Sequence, residues 1–305
     1  MPVTRKKFLH TSALFLAALA AGSNVLATRR KAPLLSFSTL GCPDWTFEQI
    51  TNFAVQHGYK GLEIRGLQRQ MDLSQCPEFN TEDARRRTIA LMKQKGLTFV
   101  GLGSSANLHH PEGAEREKNL TEARRFIDLA GHIGCPYVRV FPNNLPKDQD
   151  KGATLDLISK GLRELGDYAT AKNVTVLLET HGDVVRIEDL KTIMQAAEHP
   201  HIGLVWDVAN MWTVTKEPPA DAYRILKKYI RHTHIKDARL VGGKLQYTLL
   251  GQGEVPIFEA ISTLQRGGYK GYYSFEWEKL WHPDLAAPEI ALADYPSVMK
   301  KQLRR

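Results

Sequence analysis

The sequence lacks most of the features that announce a function. Its 305 residues hold three cysteines, Cys42, Cys76 and Cys135. An odd number without a Cys-x-x-Cys pair argues against both a disulfide framework and a thiolate metal site. No Gly-x-Gly-x-x-Gly turn follows the first apolar run, where the chain reads Leu40-Gly41-Cys42-Pro43-Asp44-Trp45. A doubly wound nucleotide-binding sheet is therefore the weaker fold reading. Apolar runs long enough for a stable membrane anchor are missing, and no low-complexity linker or composition break follows residue 32. The formal charge of +8 is spread rather than clustered, which describes a solvated surface and not a nucleic-acid patch.

What is present starts with a processing signal. Arg5, Lys6 and Lys7 precede an apolar run from Ala13 to Ala21, and Val25-Leu26-Ala27 offers small residues for cleavage. That order predicts an export signal over residues 1–27. Thr4-Arg5-Lys6-Lys7-Phe8-Leu9 resembles a twin-arginine signal with Lys for the second Arg, so the folded (Tat) and unfolded (Sec) routes both stay open. The expected mature protein, residues 28–305, is periplasmic or extracellular and long enough for one large domain.

In that remainder a short β-branched or apolar run alternates with an amphipathic stretch eight times. The runs are residues 34–40, 61–66, 97–103, 137–142, 174–180, 202–208, 230–236 and 271–277. Thr81 to Lys95 and Ala114 to Ile133 read as helices closed by Gly96 and Gly134. Eight strand and helix pairs predict an α/β fold, a single-domain (β/α)8 TIM barrel. Residues 237–255, with Gly242-Gly243 between two short alternating segments, predict a hairpin at the barrel mouth. Lys279 to Pro288 is expected to lie across the same mouth.

The last four strands end alike: Glu179, Asp207, His234 and Glu276 each terminate an apolar run. Singly, such residues are helix caps or solvated side chains. Four at equivalent strand ends would incur four burial penalties unless a positive charge stood between them. Three carboxylates and an imidazole suit one divalent cation, Mn2+, Mg2+ or Co2+, with Zn2+ less typical. Around this centre we expect substrate-binding groups at Glu63, His109, Arg139, His181, Lys236, Arg239 and Trp281. Bland alternatives are an internal Arg139–Glu63 pair and a Lys236–Asp237 pair. Trp206 should face away from Asp207, into the core.

With His234-Ile235-Lys236-Asp237 and Ser274-Phe275-Glu276 beside Glu179 and Asp207, the chain resembles the xylose isomerase-like TIM-barrel superfamily of sugar isomerases and epimerases. Leu250-Gly251-Gln252-Gly253-Glu254 and Gly267-Gly268-Tyr269-Lys270-Gly271-Tyr272 are similar to the stretches found there. The resemblance covers essentially the whole mature chain. It implies a metal-dependent isomerase or epimerase in which Glu179 and Glu276 carry protons as well as ligating, while Asp207 and His234 only ligate. It also implies that Asn210, where many relatives have His, contacts substrate. A dehydratase or lyase acting on a keto-sugar, inosose or 3-keto-glycoside is the alternative, and a non-catalytic sugar-binding barrel a third. The superfamily's multi-zinc abasic-site nuclease fits poorly, because Asn210 replaces a His and no Asp-x-His follows His234. A small sugar, unphosphorylated because export leads away from sugar phosphates, is the expected partner; a homo-oligomer stays open.

Overall fold

The computed structural model describes residues 33–303; the expected export signal lies outside them. Strands β1 (Leu35–Ser38), β2 (Gly61–Ile64), β3 (Thr98–Asn107), β4 (Tyr137–Phe141), β5 (Thr175–Glu179), β6 (Ile202–Asp207) and β7 (Ile230–Ile235) come first. The hairpin β8 (Asp237–Val241) and β9 (Lys244–Thr248) then precedes β10 (Tyr273–Phe275). The seven strands and β10 form a closed barrel, and every pair in it is parallel. Closure is made by β10, which pairs with β7 on one side and β1 on the other. The open doubly wound sheet is thereby excluded.

Helices cover the outside: α1 (Phe47–Gln56), α2 (Glu82–Gln94), α3 (Ala114–Ile133), α4 (Lys151–Thr170), α5 (Ile187–Ala196), α6 (Val208–Thr215), α7 (Pro219–Leu226), α8 (Ile257–Arg266) and α9 (Pro288–Leu303). Local chemistry explains their ends. Thr81 accepts from the Ala84 amide and caps α2, while Gly134 closes α3 in the left-handed region at φ +68°, where a side chain would be strained. On α8, Ile257, Ala260, Ile261 and Leu264 recur at helical spacing and are buried against the barrel, which is the stripe such a covering helix needs. No helix among the described residues is long and apolar enough to cross a membrane.

Asp237 fastens the predicted hairpin. Its carboxylate accepts from the backbone amides of Ala238, Gly251, Gly253 and Val255. This accounts for the Gly251-Gln252-Gly253 run: Gly251 sits at φ +83°, and a Cβ at Gly253 would collide with the Asp237 carboxylate and the Ala238 carbonyl. Gly253→Ala is therefore expected to cost about 1–3 kcal/mol, as overpacking does. A urea midpoint equal to that of the parent would contradict this account of the loop. Across the mouth, Tyr247 of the hairpin packs against His282 at 5.1 Å between ring centroids, so the two predicted mouth segments meet.

Candidate metal centre

Glu179, Asp207, His234 and Glu276 converge at the carboxyl ends of β5, β6, β7 and β10. All four are buried, and one ligand atom from each lies within 4.8 Å of the others. Register does this: Asp207 pairs with His234 across β6 and β7, and the Glu276 amide donates to the Ile235 carbonyl. His234 Nδ1 stands 3.3 Å from Glu179 Oε1, 3.3 Å from Glu276 Oε1 and 3.7 Å from Asp207 Oδ2. Asp207 divides its oxygens. Oδ1 caps α6 by accepting from the Asn210 amide at 2.8 Å, and Oδ2 turns into the cluster, where Lys236 Nζ stands 2.9 Å away. The cap reading and the ligand reading each describe one oxygen of the same side chain.

The tautomer of His234 is set from behind. Its Nε2 lies 3.0 Å from Glu63 Oε2, which also meets His232 Nε2 at 2.8 Å and the Ser274 hydroxyl at 3.2 Å. Burial alone would raise the Glu63 carboxyl, but the two imidazoles outweigh it and hold Glu63 well below the usual carboxylate range. An ionised Glu63 accepts a hydrogen bond from Nε2–H, so in the neutral ring that would hold a cation the Nδ1 lone pair would face the three carboxylates; outer carboxylates orient metal-binding histidines in this way.

These residues fit a divalent cation. With no cation between the carboxylates, burial disfavours charge on His234, yet Glu276, Glu63 and Glu179 overcome that and raise its imidazole well above the ordinary value. Burial, opposed by Lys236 and reinforced by Glu276 and Glu179, pushes the Asp207 carboxyl up to about 7. Protons thus occupy positions that a cation would take. Ligation needs both groups deprotonated, so binding releases protons and the apparent affinity rises with pH. We expect Mn2+ to bind at least about tenfold more tightly at pH 8 than at pH 6. Calorimetric titration in buffers of differing ionisation enthalpy checks this, and a pH-independent affinity would refute it.

The remaining expected residues divide. Arg139 Nε is 3.0 Å from Glu179 Oε2, its Nη1 donates to the Ser104 carbonyl, and its guanidinium lies 3.8 Å over the Phe141 ring. It pairs with Glu179 and not Glu63, because His232 and His234 have taken Glu63. Glu63, expected among the substrate contacts, is instead seen hydrogen-bonded to His232 and His234. Lys236 spans Asp207 Oδ2 (2.9 Å), Glu276 Oε2 (2.7 Å) and Glu278 Oε1 (2.7 Å), not the Asp237 that fastens the hairpin. Asn210 Nδ2 reaches Glu179 Oε1 at 3.4 Å. His181, half-buried, meets Asn143 Oδ1 through Nδ1 at 2.8 Å, and burial lowers its pKa. His109 is buried, its ring 4.1 Å from that of His110, and burial lowers its pKa as well. Arg239 and Trp281 are exposed, Trp281 to 54 %, and neither makes a hydrogen bond or ion pair with the cluster.

Three residues of this neighbourhood escape a reading that inspects only strand ends: Arg65, His232 and Glu278. Arg65 is buried and donates to the Ser105 hydroxyl at 2.9 Å. Each lies two positions from a residue already singled out, Glu63, His234 and Glu276. Side chains two apart along an extended chain share a face, and that was the available signal.

Comparison with known proteins places this geometry in context. Residues 52–295 match the sequence profile of a family described as xylose isomerase-like TIM barrel. A 3-dehydroshikimate dehydratase of Bacillus anthracis is 22 % identical over 227 residues, covering 71 % of this chain and 78 % of that one. Among solved structures, the IolI protein with a bound zinc atom superposes with a TM-score of 0.73 at 19 % identity, covering 87 % of this chain and 96 % of that one. The 3-keto-D-glucoside 4-epimerase YcjR from E. coli, in its apo form, does so with 0.67 at 14 % identity, covering 90 % and 100 %. Identities this low carry the fold and not the reaction.

Proposed function

The chain belongs to the xylose isomerase-like TIM barrel family, and on that premise we propose that it is a divalent-metal-dependent isomerase or epimerase. Its substrate would be an unphosphorylated sugar, keto-sugar or keto-glycoside. The observation that carries this reading is the convergence of Glu179 and Glu276 with Asp207 and His234 in one buried cluster. A carbon beside a carbonyl is a weak acid, and a cation held by these four residues would supply the Lewis acidity that stabilises the enediolate.

The chain's own residues supply the rest. Burial raises both carboxyls, but His234 with Arg139 lowers Glu179, and His234 with Lys236 lowers Glu276 well below the usual range. Each is thus ionised, the state from which a base must start. Their strands are separated around the barrel by β6 and β7, which suits one group to each face of a flat sugar. One removes the C–H proton and the other returns a proton from the opposite side. The IolI neighbour holds zinc, whereas the oxygen-rich donor set here favours Mn2+, Mg2+ or Co2+.

A second reading, dehydratase or lyase, is supported by the 3-dehydroshikimate dehydratase relative. Proton removal by one glutamate would then be followed by loss of the β-hydroxyl as water, the proton taken from carbon passing to the departing oxygen, while His181, two residues beyond Glu179, would accept a hydrogen bond from a substrate hydroxyl. Restriction to unphosphorylated substrates rests on the expected export signal and on the want of a Gly-rich phosphate turn.

Incubating metal-loaded protein with keto-sugars and keto-glycosides in D2O separates the readings. Deuterium incorporation without mass loss supports isomerisation or epimerisation, and loss of water or aglycone supports the lyase. Sugar binding without any exchange would leave only a binding barrel.

A further inference from the structure

Behind His181 lies a chain of amides whose hydrogen bonds can run in only one direction. It begins at the Ser105 carbonyl, which can only accept. Asn107 Nδ2 donates to it at 3.0 Å, so Asn107 must present its oxygen on the other side. Asn143 Nδ2 donates to that oxygen. The Asn143 oxygen is then turned towards His181 Nδ1, 2.8 Å away. An amide oxygen has no proton to give, so Nδ1 must carry one. Reversing any link would set two acceptors or two donors against each other.

The backbone is built around the same point. Asn143 sits in the left-handed region at φ +51°, which asparagine tolerates better than most residues. Its carbonyl accepts from the Asp183 amide at 3.0 Å. Gly182, at φ +65°, allows this approach, since a Cβ there would come within 2.7 Å of the Asn143 oxygen. Asn107 is fixed as well, its own amide donating to Asn119 Oδ1 at 2.7 Å. The His181 ring rests against Phe141 at 4.5 Å between centroids, and its Nε2 makes no hydrogen bond among the described residues. Three strand ends, those of β3, β4 and β5, are tied together to hold one imidazole.

We infer that Asn107 and Asn143 are positioning residues that fix His181 as its Nδ1–H tautomer, leaving Nε2 as a hydrogen-bond acceptor for a substrate hydroxyl. This rests on the proposed carbohydrate reaction for its use, though not for its geometry. The specificity it implies is for a substrate offering a hydroxyl donor beside the cluster. A histidine in water prefers the opposite tautomer, so the relay does something the ring would not do unaided.

The test uses Zn2+- or Mg2+-loaded protein labelled with 15N-histidine, with His181→Gln to assign the resonance. In the parent, Nδ1 is expected to resonate as a protonated, pyrrole-type nitrogen and Nε2 as an unprotonated, pyridine-type one; the reverse would overturn the inference. Asn143→Gly keeps the left-handed backbone available and removes the amide, and His181 should move to a mixture dominated by Nε2–H. Asn143→Asp keeps an acceptor towards Nδ1, which should stay protonated, but loses the donor to Asn107 Oδ1 and so uncouples the rest of the relay. If the tautomer is indifferent to both changes, the relay does not set it. In the deuterium-exchange assay Asn143→Gly should lower kcat about 10- to 100-fold, the usual cost of losing a partner that orients a functional imidazole. Metal affinity and KM should change little. Correct tautomers without any exchange activity in the parent would count against the proposed reaction and leave the relay standing.

Discussion

Replacing Glu179 or Glu276 by glutamine is expected to reduce solvent-deuterium exchange at the substrate carbon by about 1,000-fold, within the range that a positioned proton carrier contributes. Glutamine preserves shape and one coordinating oxygen but cannot hold the transferred proton. The two substitutions differ in what they leave behind. The partner left at Glu179 is Arg139, 3.0 Å away, and the partner left at Glu276 is Lys236, 2.7 Å away. Lys236 keeps Asp207 and Glu278, whereas Arg139 keeps only carbonyl and aromatic contacts. Glu179→Gln should therefore also cost more stability, because it strands a buried charge. Metal content measured beside exchange separates loss of the proton carrier from loss of the cation. Should either variant retain parental exchange, that glutamate carries no proton in the reaction.

The second large effect concerns Asp207, whose two oxygens allow its roles to be separated. Asp207→Ala removes cap and ligand together, while Asp207→Ser restores a capping oxygen without reaching the cluster. Both should weaken Mn2+ binding by about 100-fold or more, beyond what outer partners of a metal site cost, and abolish exchange. Only alanine should suffer for the lost cap, being less stable than serine by about 1 kcal/mol. Equal stabilities would mean that the Asn210 amide does not depend on this cap. Parental Mn2+ affinity in the serine variant would remove Asp207 from the ligand set.

Much of this was legible in the sequence because a barrel strand reports on itself. Burial on both faces writes an apolar run, and the first charge after it marks the mouth. Glu179, Asp207, His234 and Glu276 are readable for that reason, as is the hairpin at Gly242-Gly243, where both residues take positive φ as a tight hairpin turn requires. Partnerships were less legible. Glu63 ends its strand like the others, yet its role is decided by His232, 169 positions away, and no local pattern encodes that distance. Arg139 then goes to Glu179 by elimination. Arg239 and Trp281, expected at the site, are both exposed and make no hydrogen bond or ion pair with the cluster among the described residues. Asn143 had no signal beyond being an asparagine after a strand; its meaning lies in the direction of its hydrogen bonds.

The barrel is closed by its last strand, and that has a consequence for how the protein comes by its metal. Glu276 immediately follows β10, which must insert between β7 and β1, the latter more than two hundred residues earlier in the chain. Pairings this remote form late, after long loops have been closed. A chain still emerging during synthesis can assemble β5 to β7 but cannot complete the four-residue grip. A cation held by all four residues would therefore be fully enclosed only once β10 has closed the barrel.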